Sequence, residues 1–172
     1  MNSSLQSLLN NPTFSRVRRN HGLEHATIHV LAERDSRRSI AGHSDASGFW
    51  LLGEVTAQEV EEASAEALQR LRAGEGSLAI HPNCGTNLVT SSMAAGVAGA
   101  LAMSGTRSGR DRLERLPLAG LFAMAALLMA RPLGTRVQQR ITTSGDPEGL
   151  EIVDIRETQR ANLKAFRVTT RG

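Results

Sequence analysis

The chain has 172 residues, of which 40% are hydrophobic and only 3% aromatic, and its formal net charge is +3. A single cysteine excludes an internal disulfide, and nucleic-acid binding is disfavoured because no aromatic side chains interleave with the arginines to stack on bases. The length suits one domain with a core, or a small domain followed by a membrane hairpin.

The N-terminal residues lack the apolar core and cleavage site of a signal peptide. Leu5, Leu8 and Leu9 suit a segment that lies on a membrane surface or folds onto a domain, so residues 1–19 are expected to form an amphipathic or flexible segment. A helix is predicted from Asn20 to Arg34, with Asn20 as its N-cap.

The predicted first helix places His21 and His25 one turn apart on one face, the spacing at which two imidazoles bind one cation. Glu24 lies one position off that line. The order His-x-x-Glu-His matches the inverzincin signature, in which the carboxylate is the general base of a metal-dependent hydrolysis. The alternative is a pair of packed or surface histidines.

Three further polar residues have open roles. His29 lies two turns beyond His21 and either joins its face or packs and hydrogen-bonds elsewhere. Residues 39–53 are predicted to form a loop and then a short strand. In that loop, His43 and Asp45 suit a further ligand and a carboxylate that orients a histidine, or else a polar turn.

The clearest element is a helix that begins after the capping box of Thr56 and Glu59 and ends near Gly74. Its apolar stripe begins at Val60, and its acidic face is interpreted as solvated. Residues 78–80 are then predicted to form a short strand that delivers His81.

The block His-Pro-Asn-Cys-Gly-Thr, residues 81–86, presents His81 and Cys84 together at a turn. With His21 and His25 they make four donors of the nitrogen and sulfur types that zinc prefers, and a site that uses three of them leaves a position for water. Cys84 alone also suits a small buried hydrophobe, or a nucleophile with a histidine base.

Two charge-free apolar runs, Leu88 to Met103 and Leu116 to Ala130, predict a two-helix transmembrane hairpin. As helices they measure about 22 to 24 Å, short of the roughly 30 Å hydrocarbon core, so flanking arginines must snorkel and the bilayer must thin. The alternative is a buried hairpin in a soluble protein. Residues 95–100 carry small side chains at four-residue spacing, which suits packing against a second copy or a partner in a membrane complex.

The arginines that flank the two runs favour anionic membrane lipids as partners. More of them lie outside the hairpin than in its loop, which favours an integral membrane protein whose soluble domain is cytoplasmic. The tail, residues 132–172, has turn signals at Ser144 to Pro147 and then suits one strand or a short helix. The expected fold is α+β: a helix-strand metal-site domain at 20–86, followed by the membrane hairpin at 87–131.

Three sequence blocks carry a family resemblance: His-Gly-Leu-Glu-His-Ala-Thr-Ile at 21–28, His-Pro-Asn-Cys-Gly-Thr at 81–86 and Gln-Arg-Ile-Thr-Thr at 139–143. In this order they resemble the YqhQ-like group of uncharacterised bacterial membrane proteins. Because the chain is shorter and has fewer hydrophobic spans than that group, a sister family of unknown function is the alternative. The resemblance implies a metal-dependent enzyme with site roles for His21, Glu24, His25, His81 and Cys84.

The leading hypothesis is a membrane-anchored, metal-dependent hydrolase, with zinc or another divalent transition metal held by His21, His25 and one or both of His81 and Cys84. Glu24 is its expected catalytic base. The competing hypothesis is a non-catalytic site whose four ligands close around the metal, in an assembly subunit or metal carrier.

Overall fold

A computed structural model describes residues 6–7, 9, 11–160 and 163–172 of the chain. Contacts divide the chain into two compact units, residues 1–81 with 139–172 and residues 82–138. The described residues form five α-helices and one four-stranded sheet, which confirms the expected α+β class. Leu5 and Leu8 of the expected N-terminal segment lie outside the described residues.

Helix α1 of the first unit runs over Pro12–Arg34 and begins eight positions before the predicted start at Asn20. Its N-cap is Asn11, whose side chain accepts hydrogen bonds from the amides of Thr13 and Phe14, and Pro12 stands at the first helical position. The prediction of Asn20 as the cap is therefore wrong. Asn20 is instead a buried residue in the interior of the helical sequence, and its side-chain amide donates a hydrogen bond to the backbone carbonyl of Asp45.

Helix α2, Ala57–Arg72, has the predicted capping box of Thr56 and Glu59 and packs its apolar face on α1. Arginines of the two helices pair with its acidic face, for example Arg34 with Glu62 and Glu66. After Gly74, which has a φ of 96°, the chain forms a 3₁₀ turn at Gly76–Ala79. The predicted strand at 78–80 is therefore wrong: a turn, not a sheet edge, leads to His81.

The sheet contains four antiparallel strands in the order β1-β2-β4-β3. They are Ala41–Asp45, Gly48–Leu52, Glu151–Arg160 and Leu163–Arg171 for β1 to β4. Phe49 and Leu51 of β2 pair with Val168 and Phe166 of β4, and these four side chains join α1 and α2 in one core. The tail thus forms two strands, not one strand or a short helix, because β4 is fixed by its long-range partner β2.

The second unit contains three helices, α3 at Gly85–Ala102, α4 at Gly109–Met129 and α5 at Arg131–Val137. Helices α3 and α4 pack on each other as a hairpin, and α5 packs on α3. Gly134 lets α5 approach α3 closely, because a Cβ added at this position would lie 2.7 Å from Oδ1 of Asn87. Both apolar runs are therefore helical, and a π-helical turn, Gln138–Thr142, follows.

The helices of the second unit expose most of their large apolar side chains. Leu88, Leu101 and Leu121 are each about two-thirds exposed. Among the described residues, no single helix combines the length and hydropathy needed to cross a membrane, although the pair Gly109–Met129 and Arg131–Thr142, bent by 44°, meets both criteria. The two helices of the expected transmembrane hairpin therefore do not each meet these criteria, because α4 begins with charged residues and α3 carries several Ser, Thr and Asn side chains.

Candidate metal centre

The middle of α1 places two imidazoles side by side. The ring centroids of His21 and His25 lie 4.4 Å apart, and one nitrogen of each ring lies within 4.8 Å of the other. His25 is 2% exposed, so a charge on its ring would be costly. The four-residue spacing in the sequence thus places two potential metal ligands next to each other.

Backbone carbonyls fix the orientation of both rings. Nδ1 of His21 lies 2.9 Å from the carbonyl oxygen of Thr142, and Nδ1 of His25 lies 2.8 Å from that of Ala79. Because a carbonyl oxygen only accepts, each Nδ1 carries the proton and donates it. In the neutral rings the lone pair is therefore on Nε2, the nitrogen that a metal ion would use.

His81 and His29 extend the cluster. The ring of His81 lies 5.7 Å from that of His25 and 5.0 Å from that of His29. His29 Nε2 donates to the carbonyl of Ile80 at 2.9 Å, which supports the hydrogen-bonding alternative for this residue. Burial, and secondarily the nearby His29, lower the pKa of His81, which favours the neutral form that binds metals.

Glu24 is 3% exposed and lies beside β1. A Cβ built on Gly42 would lie 2.2 Å from Oε1 of Glu24, so the carboxylate rests against the bare backbone of that strand. Asn20, one turn earlier, also bonds β1 through the carbonyl of Asp45. Glu24 therefore shares the face of α1 that meets the sheet, next to the histidine face.

The segment after the π-helical turn is hydrogen-bonded to α1 at Arg18. Arg18 Nη2 donates to the carbonyl of Thr143 at 3.1 Å, and the Ser144 amide donates to the Arg18 carbonyl at 3.0 Å. A Cβ on Gly22 would lie 2.0 Å from the Ser144 oxygen. Gly22 thus permits the close approach that brings the Thr142 carbonyl to His21.

Cys84 belongs to the second unit, three residues beyond His81. It is buried and forms the N-cap of α3, where its Sγ accepts a hydrogen bond from the Thr86 amide at 3.4 Å. Three residues of extended chain span at most roughly 11 Å, which bounds the separation of the His81 and Cys84 α-carbons.

His43 and Asp45 have other roles within the described residues. His43 is an exposed residue of β1, paired in register with Trp50. The Asp45 carboxylate accepts two hydrogen bonds from Arg167, each 2.8 Å long, and two more from Ser47. These bonds lower the pKa of Asp45 to about 2, and Asp45 forms the polar turn rather than a carboxylate that orients a histidine.

Sequence reasoning identified the imidazoles but missed the carbonyls of Ala79, Ile80 and Thr142 that orient them. Side-chain identity does not encode a backbone acceptor. The only signal was that two of these carbonyls directly precede His81 and the third belongs to the block at 139–143. The structure places the carbonyls of Ala79, Ile80 and Thr142 beside the histidines of α1.

Comparison with known proteins gives a family but no activity. The family described as a domain of unknown function (DUF6391) matches residues 16–155. An uncharacterised protein of Picosynechococcus sp. is 38% identical over 151 residues, which cover 82% of this chain and 72% of that protein. No solved structure matches the chain. These matches support the expected sister family of unknown function, and the chain belongs to the DUF6391 family.

Proposed function

We propose that this protein is a membrane-anchored, metal-dependent hydrolase. Zinc, or another divalent transition metal, binds Nε2 of His21 and Nε2 of His25, and one or both of His81 and Cys84 are its further ligands, a set of three leaving one position for water. The attacked bond is an amide or ester near the membrane face. The relationship to the YqhQ-like group, suggested by the three sequence blocks, is part of the same proposal.

The observation that carries the proposal is the pair of histidines oriented by carbonyls. Two neighbouring imidazoles whose Nδ1 protons are both donated to backbone oxygens present Nε2 lone pairs, as histidine ligands of metals do. Packing alone does not require both rings to have the same tautomer. The shared tautomer at 4.4 Å ring separation therefore supports a ligand pair.

His81 and Cys84 are the further candidate ligands because imidazole and thiolate both bind zinc and because the two residues are only three positions apart in the chain. His81 lies in the same imidazole cluster, and burial favours its neutral form. Cys84 follows three residues later, and its thiolate is a strong zinc ligand. Together the four side chains make the nitrogen and sulfur set that favours zinc over magnesium or calcium.

Glu24 is the proposed general base. When bound, the metal would supply Lewis-acid activation of the substrate carbonyl and of water. Glu24 would accept the proton of the attacking water and then pass it to the leaving group. Its position, one residue before His25 and 3% exposed, provides a carboxylate shielded from bulk solvent next to the ligand face.

The membrane anchor is the second unit. Its helices expose large apolar side chains on several turns, including Met93 at 68% and Met124 at 60%. Such a surface needs lipid or protein cover. Arginines near the helix ends would contact anionic lipid headgroups.

Metal analysis of the purified protein tests the ligand pair. The wild type and the His43→Ala variant, which changes an exposed histidine of β1, should each retain about one equivalent of zinc. The double variant His21→Ala/His25→Ala should lose it, because two of the proposed ligands are gone. Full retention in the double variant, or no transition metal in the wild type, would overturn the proposal.

The deep burial of His25 and Glu24 favours a second candidate, a closed structural site in a non-catalytic membrane assembly or metal-carrier subunit. X-ray absorption spectroscopy of the zinc-loaded protein separates the two by coordination. Four protein ligands without a water oxygen would favour the structural site, whereas an oxygen ligand would favour hydrolysis. The Glu24→Gln variant should keep its zinc in both cases.

A further inference from the structure

The second unit contains a cavity of about 450 Å³ between α3 and the neighbouring helices α4 and α5. Its lining joins two kinds of side chain. Cys84, Asn87, Arg131 and Thr135 form a polar wall, and Leu88 and Leu127 contribute apolar surface. The volume falls in the range of cavities that bind small ligands.

The polar wall favours an anion. Arg131 makes no ion pair within the part of the chain that the structure describes, and no described acidic side chain lines the cavity. Thr135 follows one turn later on α5, with its hydroxyl bonded to the Arg131 carbonyl. A guanidinium without an acidic neighbour attracts phosphate or carboxylate groups, which it can bind through two parallel hydrogen bonds.

The apolar wall continues onto the surface of the unit. Leu88 is 67% exposed although it lines the cavity, and Leu128 beside Leu127 is 50% exposed. An acyl chain in the cavity could therefore leave it along apolar helix surface rather than through water. A polar solute or a charged peptide would gain nothing from that wall.

We propose that this cavity binds a lipid with an anionic headgroup, its headgroup on Arg131 and its acyl chain along Leu88 and Leu127. Such a lipid is the substrate class of the hydrolase, and this catalytic role rests on the proposed function. The link is Cys84, which lines the cavity and is also a proposed metal ligand. The bond that the proposed hydrolase would cleave is then an ester of this lipid.

Binding is tested with the purified protein in neutral detergent and two fluorescent lipids, a labelled phosphatidylglycerol and a labelled diacylglycerol that lacks the phosphate. The wild type should bind the phosphatidylglycerol more tightly. Arg131→Gln should weaken that binding about tenfold, the change expected for one charge-assisted hydrogen bond, and leave the diacylglycerol unaffected. Arg131→Lys, which keeps the charge, should restore part of the affinity.

Arg136→Gln is the matched control, because Arg136 is an exposed arginine of the same helix that does not line the cavity. Equal weakening by Arg131→Gln and Arg136→Gln would overturn the inference, since it would show attraction to general positive charge. Equal affinity of the wild type for both lipids would overturn it as well.

The His21→Ala/His25→Ala variant separates this inference from the proposed function. It should lose zinc but still bind phosphatidylglycerol, because neither histidine lines the cavity. Zinc-loaded wild type that fails to bind the lipid contradicts the cavity proposal alone. Lipid binding by a wild type that contains no metal contradicts the hydrolase alone.

Discussion

Hydrogen-bond partners in the first unit decide where single side chains carry a proton or accept one. The Nδ1 atoms of His21 and His25 both face carbonyl oxygens, so a neutral ring must carry its proton there. Asp45 shows the opposite case, a carboxylate that accepts four hydrogen bonds and is thereby held ionised. Local geometry thus decides which nitrogen of a neutral ring carries the proton, and it keeps the Asp45 carboxylate ionised.

The pair of Asp45 and Arg167 gives a pH-dependent prediction. The folded pKa of Asp45, about 2, lies below the ordinary 3.8, so its stabilisation is present above pH 4 and is lost as the pH falls through 2. Because Asp45 is 44% exposed, solvent screening reduces the effect to about 1 kcal/mol. Asp45→Asn should therefore lower the free energy of unfolding by about 1 kcal/mol at pH 7 and by clearly less at pH 2.

Urea unfolding followed by the fluorescence of Trp50, the sole tryptophan, measures this difference. His43→Ala, which changes an exposed neighbour in β1, controls for loss of a polar side chain from the strand. A destabilisation by Asp45→Asn that stays constant from pH 7 to pH 2 would contradict the ion-pair explanation.

At the scale of elements, the packing of α1 depends on Gly22. An added methyl group would meet the Ser144 carbonyl oxygen at 2.0 Å, and a backbone atom cannot rotate away. Gly22→Ala should destabilise the first unit by about 2 kcal/mol, although alanine is the better helix former. Gly120→Ala, in α4 with no atom within 4 Å of the added methyl, should leave the Trp50 unfolding transition unchanged.

Thermal unfolding followed at Trp50 compares the two glycine variants. Gly22→Ala should lower the midpoint by several degrees, and it should also weaken zinc retention, because the Thr142 carbonyl that orients His21 would move. Unchanged stability of Gly22→Ala would mean that α1 and the segment at Ser144 do not pack as closely as described.

Elements with local signals could be predicted from the sequence, whereas those that depend on distant partners could not. The capping box at Thr56 and Glu59 and the apolar stripe of α2 are short-range patterns, and both were confirmed. Strand β4 gains its structure from pairing with β2, more than 100 positions earlier in the chain. The turn before His81 likewise depends on its contacts with α1.

In the candidate site, too, some features follow from local sequence patterns and others depend on distant parts of the chain. Helical periodicity sufficed to place His21 and His25 on one face, because residues four apart in a helix are neighbours. The rings of His29 and His81, whose centroids lie 5.0 Å apart, are brought together only by the tertiary fold. The ion pair between Asp45 and Arg167 depends on it in the same way. The roles of Glu24 and Cys84 stay predictions that the metal and coordination measurements test.

At the scale of the whole molecule, the chain separates two kinds of surface between its two units. Among the described residues, every large exposed apolar side chain except Val153 belongs to residues 82–138. The first unit instead has a closed core and an exterior with many ion pairs, such as those of Arg70 with Glu33 and Glu75. The apolar surface of the second unit needs cover by lipid or by another protein, whereas the surface of the first unit suits water.

This separation predicts that the second unit holds the protein in a membrane. After expression, the wild type should stay with the membrane pellet through a carbonate wash, because each exposed leucine gains about 1.5 to 3 kcal/mol on leaving water. Leu121→Arg/Met124→Arg should move much of the protein to the supernatant, since each arginine costs about 2.5 to 3.5 kcal/mol within the hydrocarbon. Val153→Arg, which changes the exposed apolar residue of the sheet, should behave as the wild type. Release of the wild type by carbonate would show that another protein, not lipid, covers the apolar helices.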